Sequence, residues 1–169
     1  IPAGSDGVLF LPYMAGERSP IWNPNASGVF FGLNYAQTRA HLIRSVMEGV
    51  GFALRHNLET AESAGASVRT LRSVGGSANS RVWTQLKADI TGHNIEVPAS
   101  DTATVLGAAI LGGVGTGVYK NFQDACARTI TVACTHQPDG ERKATYDRCY
   151  SVYRELYERL APMMSDAGQ

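Results

Sequence analysis

The chain opens on an unbroken apolar run, Gly7 to Leu11, closed by Pro12; the pattern predicts a buried strand or strand end. From Tyr13 to Gly28 the periodicity is lost among Pro20, Pro24, Gly16 and polar residues, which predicts a long ordered loop, and a loop of that length in a compact domain usually covers or serves something. At Thr38 the period becomes helical. Ile43, Val46, Met47, Val50, Leu54 and Leu58 recur at intervals of three and four, with Thr38 placed as N-cap and Gly65 beyond the end, predicting a helix over Thr38 to Ser63. Val68 to Val74 predicts a short strand, Gly75 to Ser80 a glycine turn, and Arg81 to Thr91 a second helix closed by Gly92. Asn94 to Pro98 reads as another strand. Asp101 or Thr102 then caps a nearly all-apolar, small-residue helix from Ala103 to about Gly113, and a helix without a polar face is expected to be buried on all sides.

The last third predicts a short helix at Asn121 to Arg128, an extended piece at Ile130 to Thr135 and a polar turn at Gln137 to Gly140. A final amphipathic helix follows, its Tyr146, Tyr150, Tyr153, Leu156, Tyr157 and Leu160 at helical spacing, and the tyrosines are expected to pack rather than react. Strands alternate with helices and no linker divides the 169 residues, so the expected class is α/β, one domain over residues 1–169.

Composition narrows the function classes. Fifteen Lys plus Arg balance fifteen Asp plus Glu, leaving no basic surplus for phosphate backbones, so no nucleic-acid partner is expected. The longest apolar run, Val105 to Tyr119, is too short and too small-sided to span a bilayer and the N-terminus has no leader pattern; no membrane contact and a cytoplasmic location are expected. Cys126, Cys134 and Cys149 match no zinc spacing, and are expected as reduced, partly buried thiols, with no metal site.

Chemistry has one serious candidate. Glycines after the strand ending at Val74 let a ligand approach the backbone, and the following helix N-terminus offers free N–H groups to a nucleotide phosphate or ribose. Gly-Gly-Ser lacks the Lys-Ser/Thr ending of a Walker sequence, and a plain strand-to-helix turn capped by Ser77 or Asn79 fits it equally. The second glycine cluster, Gly112 to Gly117, follows a helix and reads as helix termination plus turn. His41, His56, His93 and His136 are dispersed and expected as surface or interface residues, so no catalytic residue is assigned; Glu17 and Arg18 are expected to pair with neighbouring loops and Glu48 with Arg44.

Several stretches together carry a resemblance. Gly28-Val29-Phe30-Phe31-Gly32-Leu33 followed by His41-Leu42-Ile43-Arg44-Ser45-Val46-Met47-Glu48 is similar to the C-terminal signature of the FGGY carbohydrate kinases. Leu11-Pro12-Tyr13-Met14-Ala15-Gly16-Glu17-Arg18-Ser19-Pro20-Ile21-Trp22 resembles the stretch before that signature in the form carried by the family's xylulokinases. Val74-Gly75-Gly76-Ser77-Ala78-Asn79-Ser80 resembles the adenosine motif, and Leu106-Gly107-Ala108-Ala109 with Val114 to Tyr119 the later helix. Three positions depart: Ser27 stands where relatives often carry Arg, Thr102 where an acidic residue is common, and Asn79 where Lys is frequent.

The resemblance implies part of an actin-like, ribonuclease-H-like ATPase domain, the C-terminal portion of the kinases' second domain, shortened at its N-terminal side. It implies ATP with Mg2+ as cofactors and γ-phosphoryl transfer to a sugar hydroxyl, a pentulose being the expected substrate. Gly75, Gly76 and Ser77 would approach the adenosine and α-phosphate side of ATP, with Asn79 at base or ribose. The family's catalytic aspartate and N-terminal phosphate motif have no counterpart here, so the chain alone is expected to be inactive. A shortened sheet leaves free edges and apolar faces, so a homodimer or association with the missing N-terminal part is expected. The alternative function is a non-catalytic interaction or oligomerisation module built on the same fold.

Overall fold

A computed structural model describes residues 1–100 and 102–167. Its elements are β1 (Leu9–Leu11), β2 (Val29–Phe31), α1 (Arg39–Ser63), β3 (Thr70–Arg72), α2 (Arg81–Thr91), β4 (Asn94–Pro98), α3 (Ala103–Gly115), α4 (Phe122–Thr129), β5 (Val132–His136) and α5 (Gly140–Ala167). The α/β class holds, but the strands form two small sheets. One is the antiparallel pair β1 and β2, with Leu9 opposite Phe31; in the other β4 is central, parallel to β3 through Leu71 and Ile95 and antiparallel to β5 through Val97 and Cys134.

Helix α1 is the spine. Its Gly49 lies so close to β1 that a Cβ would run into the Phe10 carbonyl oxygen, and a Cβ at Gly51 would meet Ile90 Cδ1 of α2 at 2.7 Å. Two glycines two positions apart, on nearly opposite faces of the helix, thus let a strand and a helix approach α1 from either side. The remaining space is filled by aromatic rings: Phe52 sits 5.4 to 6.2 Å from the ring centroids of Tyr146, Tyr150 and Tyr153 on α5, in tilted and edge arrangements. The tyrosines of the last helix therefore pack, as their spacing predicts.

The long loop is ordered by specific bonds. Tyr13 is buried and its hydroxyl meets Tyr153 Oη at 2.7 Å; Asn23 Nδ2 donates to Tyr157 Oη at 3.0 Å, and Ser19 Oγ donates to Asn57 Oδ1 at 2.7 Å. Burial pushes both phenols of the Tyr13 and Tyr153 pair up, Tyr13 to about 12. Glu17 accepts the Arg18 backbone N–H at 2.8 Å instead of forming an ion pair with a neighbouring loop.

Several expectations are corrected. Helix α3 is not enclosed: Val105 is 70% and Leu111 64% exposed and only Ile110 is buried, because among the described residues α4 is the principal helix packed on it. It also runs on to Gly115, so the chain turns at Gly117, with φ +78°, and Gly112 and Gly113 lie inside the helix. His41 is buried rather than superficial. The Thr38 N–H donates to its Nδ1 at 3.0 Å, so the ring hydrogen is on Nε2 and is donated to Asp6 Oδ2 at 2.9 Å. Cys126 is exposed; Cys134 and Cys149 are half-buried, and all three thiols are free. Of the two caps expected for α3, Thr102 makes no side-chain capping bond and Asp101 lies outside the described residues.

Candidate functional site

Strand β3 ends at Arg72 and the Ser73 N–H still donates to Glu96 O of β4 at 2.9 Å. The backbone then leaves the sheet through Gly75, at φ +81° and ψ −174°, a conformation essentially confined to glycine. A single 310 turn, Gly76–Asn79, follows, closed by the Ala78 N–H on Gly75 O at 3.0 Å. Ala78 is buried and anchors the turn. Gly75, Gly76 and Asn79 are exposed, and a Cβ at either glycine would meet nothing within 4 Å. The cap of α2 is neither Ser77 nor Asn79 but Ser80, whose Oγ accepts the Trp83 N–H at 3.3 Å.

The turn stands at the carboxyl ends of the parallel pair β3 and β4, the place where open α/β sheets take their ligands. A small cavity of about 60 Å³ opens there between Ser73 to Gly75, Asn79 and Val97 to Ser100. Beside it, an apolar cleft of about 430 Å³ runs between Val74, Pro98, Leu106, Ile110 and Phe122. Sequence inspection thus brings four residues to one turn, and the structure separates them by orientation. Gly75, Gly76 and Asn79 are open to solvent, whereas Ser77 is half-buried and its Oγ accepts a bond from Lys87 Nζ at 3.2 Å.

Lys87 is the residue sequence inspection missed. It sits on α2 ten positions from Ser77, over the Trp83 ring at 4.5 Å, and burial pulls its ammonium down from the ordinary value. It lies in the second half of α2 and its spacing from the turn carries no motif, so no local pattern marks it.

The Gly28 to Glu48 stretch is a structural knot. A Cβ at Gly28 would run into Met14 Sδ, and one at Gly32, with φ +82°, into the Gly7 carbonyl oxygen. The Glu48 carboxylate, 1% exposed, accepts from the Gly4 N–H at 3.0 Å, Ser5 Oγ at 2.7 Å, Arg44 Nε at 2.8 Å and Tyr146 Oη at 3.2 Å. The expected pairing with Arg44 is therefore present and goes further than one ion pair. Burial pulls Arg44 down, but its bonds to Glu48 and Tyr146 outweigh that and hold it above the ordinary value.

A model of the C-terminal domain of the FGGY family of carbohydrate kinases matches residues 2–116. The chain belongs to that family. It is similar to the xylulose kinase of Staphylococcus epidermidis, 34% identical over 96% of this chain and 33% of that protein, and to the gluconokinase of Bacillus subtilis, 38% identical over 93% of this chain and 31% of that one. Among solved structures it superposes on ligand-bound xylulose kinase from Lactobacillus acidophilus with a TM-score of 0.90 at 28% identity, covering 98% of this chain and 34% of that chain. The chain spans about a third of the length of these relatives and corresponds to the C-terminal domain of an FGGY sugar kinase such as xylulokinase. Its architecture is the C-terminal part of an actin-like ATPase domain.

Among the described residues no group of three or more His, Cys, Asp or Glu side chains could hold a metal ion. None of the helices described is long and apolar enough to cross a membrane.

Proposed function

We propose that this chain is the nucleotide-side domain of an ATP-dependent sugar kinase and that its glycine turn receives the nucleotide. The observation that carries the proposal is the open turn at Gly75 and Gly76: a backbone conformation at Gly75 that only glycine allows, both glycines unobstructed, at the carboxyl ends of parallel strands and leading into a helix N-terminus. Gly75 and Gly76 give close approach to the adenosine and α-phosphate side of ATP, Asn79 is exposed for the base or ribose, and Ser77, held by Lys87, fixes the floor of the turn. Positioning of this kind is the main contribution protein makes to phosphoryl transfer.

The acceptor is a sugar hydroxyl supplied through the rest of a kinase of family length. A pentulose is the substrate class favoured by the xylulose kinases among the relatives, with gluconate the competitor named by the gluconokinase. Alone, the chain does not phosphorylate sugar, since the proton-accepting carboxylate and the phosphate motif that the family resemblance calls for are not among its residues. The free outer edges of β1 and β3 and the bare face of α3 support association with a family N-terminal part or a second copy, in the cytoplasm. That same bare face is what favours the second reading, a non-catalytic interaction module.

Gly76→Val separates the two. In a family-length kinase carrying this chain, it is expected to raise KM for ATP at least about tenfold while leaving KM for the sugar unchanged, the signature of lost nucleotide contact. An unchanged KM for ATP would overturn the nucleotide assignment, and sugar phosphorylation by the 169-residue chain alone would overturn its inactivity.

A further inference from the structure

Cys134 and His136 alternate along β5, which puts both side chains on one face of an outer strand, with Sγ 3.8 Å from Nε2. The hydrogen positions follow from Gln85 on α2. Its Nε2 has two acceptors, Asp89 Oδ1 at 2.7 Å and Gln137 O at 2.7 Å, so the amide turns its NH2 group to them and leaves Oε1 for His136 Nδ1 at 3.0 Å. A carbonyl oxygen only accepts, so Nδ1 carries the ring hydrogen and Nε2 presents its lone pair to the thiol. Asp89, which fixes Gln85, is buried and itself held by the Asp139 N–H at 2.9 Å and Arg142 Nη1 at 2.8 Å. Thiol, base and orienting group thus stand in line, the arrangement that activates a sulfur nucleophile.

Nothing in the nucleotide assignment uses this row. Cys134 lies on an outer strand and is only half-buried, so a small molecule can reach it from solvent. The geometry points to Cys134 as a site of reversible thiol modification by low-molecular-weight disulfides, with His136 as its base. The Cys134 S–H proton passes to His136 Nε2, and the sulfur's electron pair attacks one sulfur of the disulfide. A new S–S bond to Cys134 forms as the old S–S bond breaks, and the departing thiolate takes the proton from the imidazolium. One thiol is released for each cysteine modified.

The probe is glutathione disulfide added to the 169-residue chain, with each cysteine followed by peptide mass mapping over time. Cys134 is expected to form the mixed disulfide at least about tenfold faster than Cys126, although Cys126 is the more exposed. Cys149 is expected to be slowest, because burial pushes its thiol up. His136→Phe is expected to bring Cys134 down to the Cys126 rate and to leave the Cys126 rate unchanged. Faster reaction of Cys126 in the unaltered chain would overturn the proposal, and that comparison stands whether or not the variant folds. An unchanged Cys134 rate in a folded His136→Phe chain would overturn the role of the imidazole.

Discussion

Glu48→Ala tests the physical account of the signature stretch most sharply. The carboxylate is almost wholly buried and takes four hydrogen bonds: from the Gly4 N–H, Ser5 Oγ, Arg44 Nε and Tyr146 Oη. Removing it strips a half-buried guanidinium of its counter-charge and leaves the N-terminal turn's donors without an acceptor. Breaking a buried pair from one side costs about 3–5 kcal/mol, a large share of the roughly 5–15 kcal/mol that holds a domain folded. Glu48→Gln is milder. An amide oxygen at the Oε1 position still accepts from Gly4, Arg44 and Tyr146, and the Ser5 hydroxyl can rotate to accept from the new NH2, so mainly the charge is lost, about 1.5–3 kcal/mol. In urea unfolding with a slope of about 2 kcal/mol per molar, the alanine variant should lower the midpoint by about 2 M and the glutamine variant by about 1 M, with the slope unchanged. An alanine shift below about 0.5 M would refute the view that Glu48 ties the first turn to α1 and α5.

Three further outcomes follow from the packing. Gly49→Ala is expected to cost about 2–3 kcal/mol because its methyl meets the Phe10 carbonyl of β1. Gly107→Ala on α3 meets nothing within 4 Å and should stabilise by up to about 1 kcal/mol; equal effects in thermal melts would contradict the close approach at Gly49. Thr84→Val removes a fully buried hydroxyl that has no hydrogen-bond partner among the described residues, and should raise stability by about 1 kcal/mol rather than lower it. Tyr13, Tyr146 and Tyr150 have phenols pushed up by burial from 10.0 to about 12. The folded state then holds protons that the unfolded state has lost, so stability is intact below pH 10 and falls above it, by about 1.4 kcal/mol per pH unit for each tyrosine up to about pH 12. Denaturation midpoints that stay flat from pH 9 to 11 would count against the buried tyrosine layer.

Much of this fold is legible in local pattern. The helical period through Ile43, Val46, Val50 and Leu54 and the cap at Thr38 fix α1 closely, and the order of strand, glycine turn and helix around Gly75 is plain from residue types alone. What sequence inspection misreads is either non-local or a matter of what covers a surface. The apolarity of α3 reports that the helix calls for cover, not which element gives it, so Val105 and Leu111 read as core and stand in the open. His41 becomes a buried link only because Asp6, 35 residues earlier, folds back onto it. Glu48 is recognisable as a partner of Arg44 four positions away, but Gly4, 44 positions away, carries no such signal. Within the candidate site the four turn residues were readable, whereas the Lys87 bond to Ser77 depends on the length of a 310 turn that spacing does not reveal. The strand at Val29 to Phe31 is illegible for a related reason: three residues between glycines show no alternation until β1 is laid beside them.

The central claim is that the Gly75 and Gly76 turn receives a nucleotide. Its most direct test is a calorimetric titration of ADP into the 169-residue chain and into its Gly76→Val variant, with unfolding midpoints measured on both. Because a Cβ at Gly76 meets no protein atom within 4 Å, the variant should fold as the parent does while its side chain fills the space a nucleotide would use. Saturable binding by the parent, weakened at least about tenfold in the variant, or about 1.4 kcal/mol, at an unchanged midpoint, is the result predicted. No binding by the parent, or equal binding by the two, would contradict it.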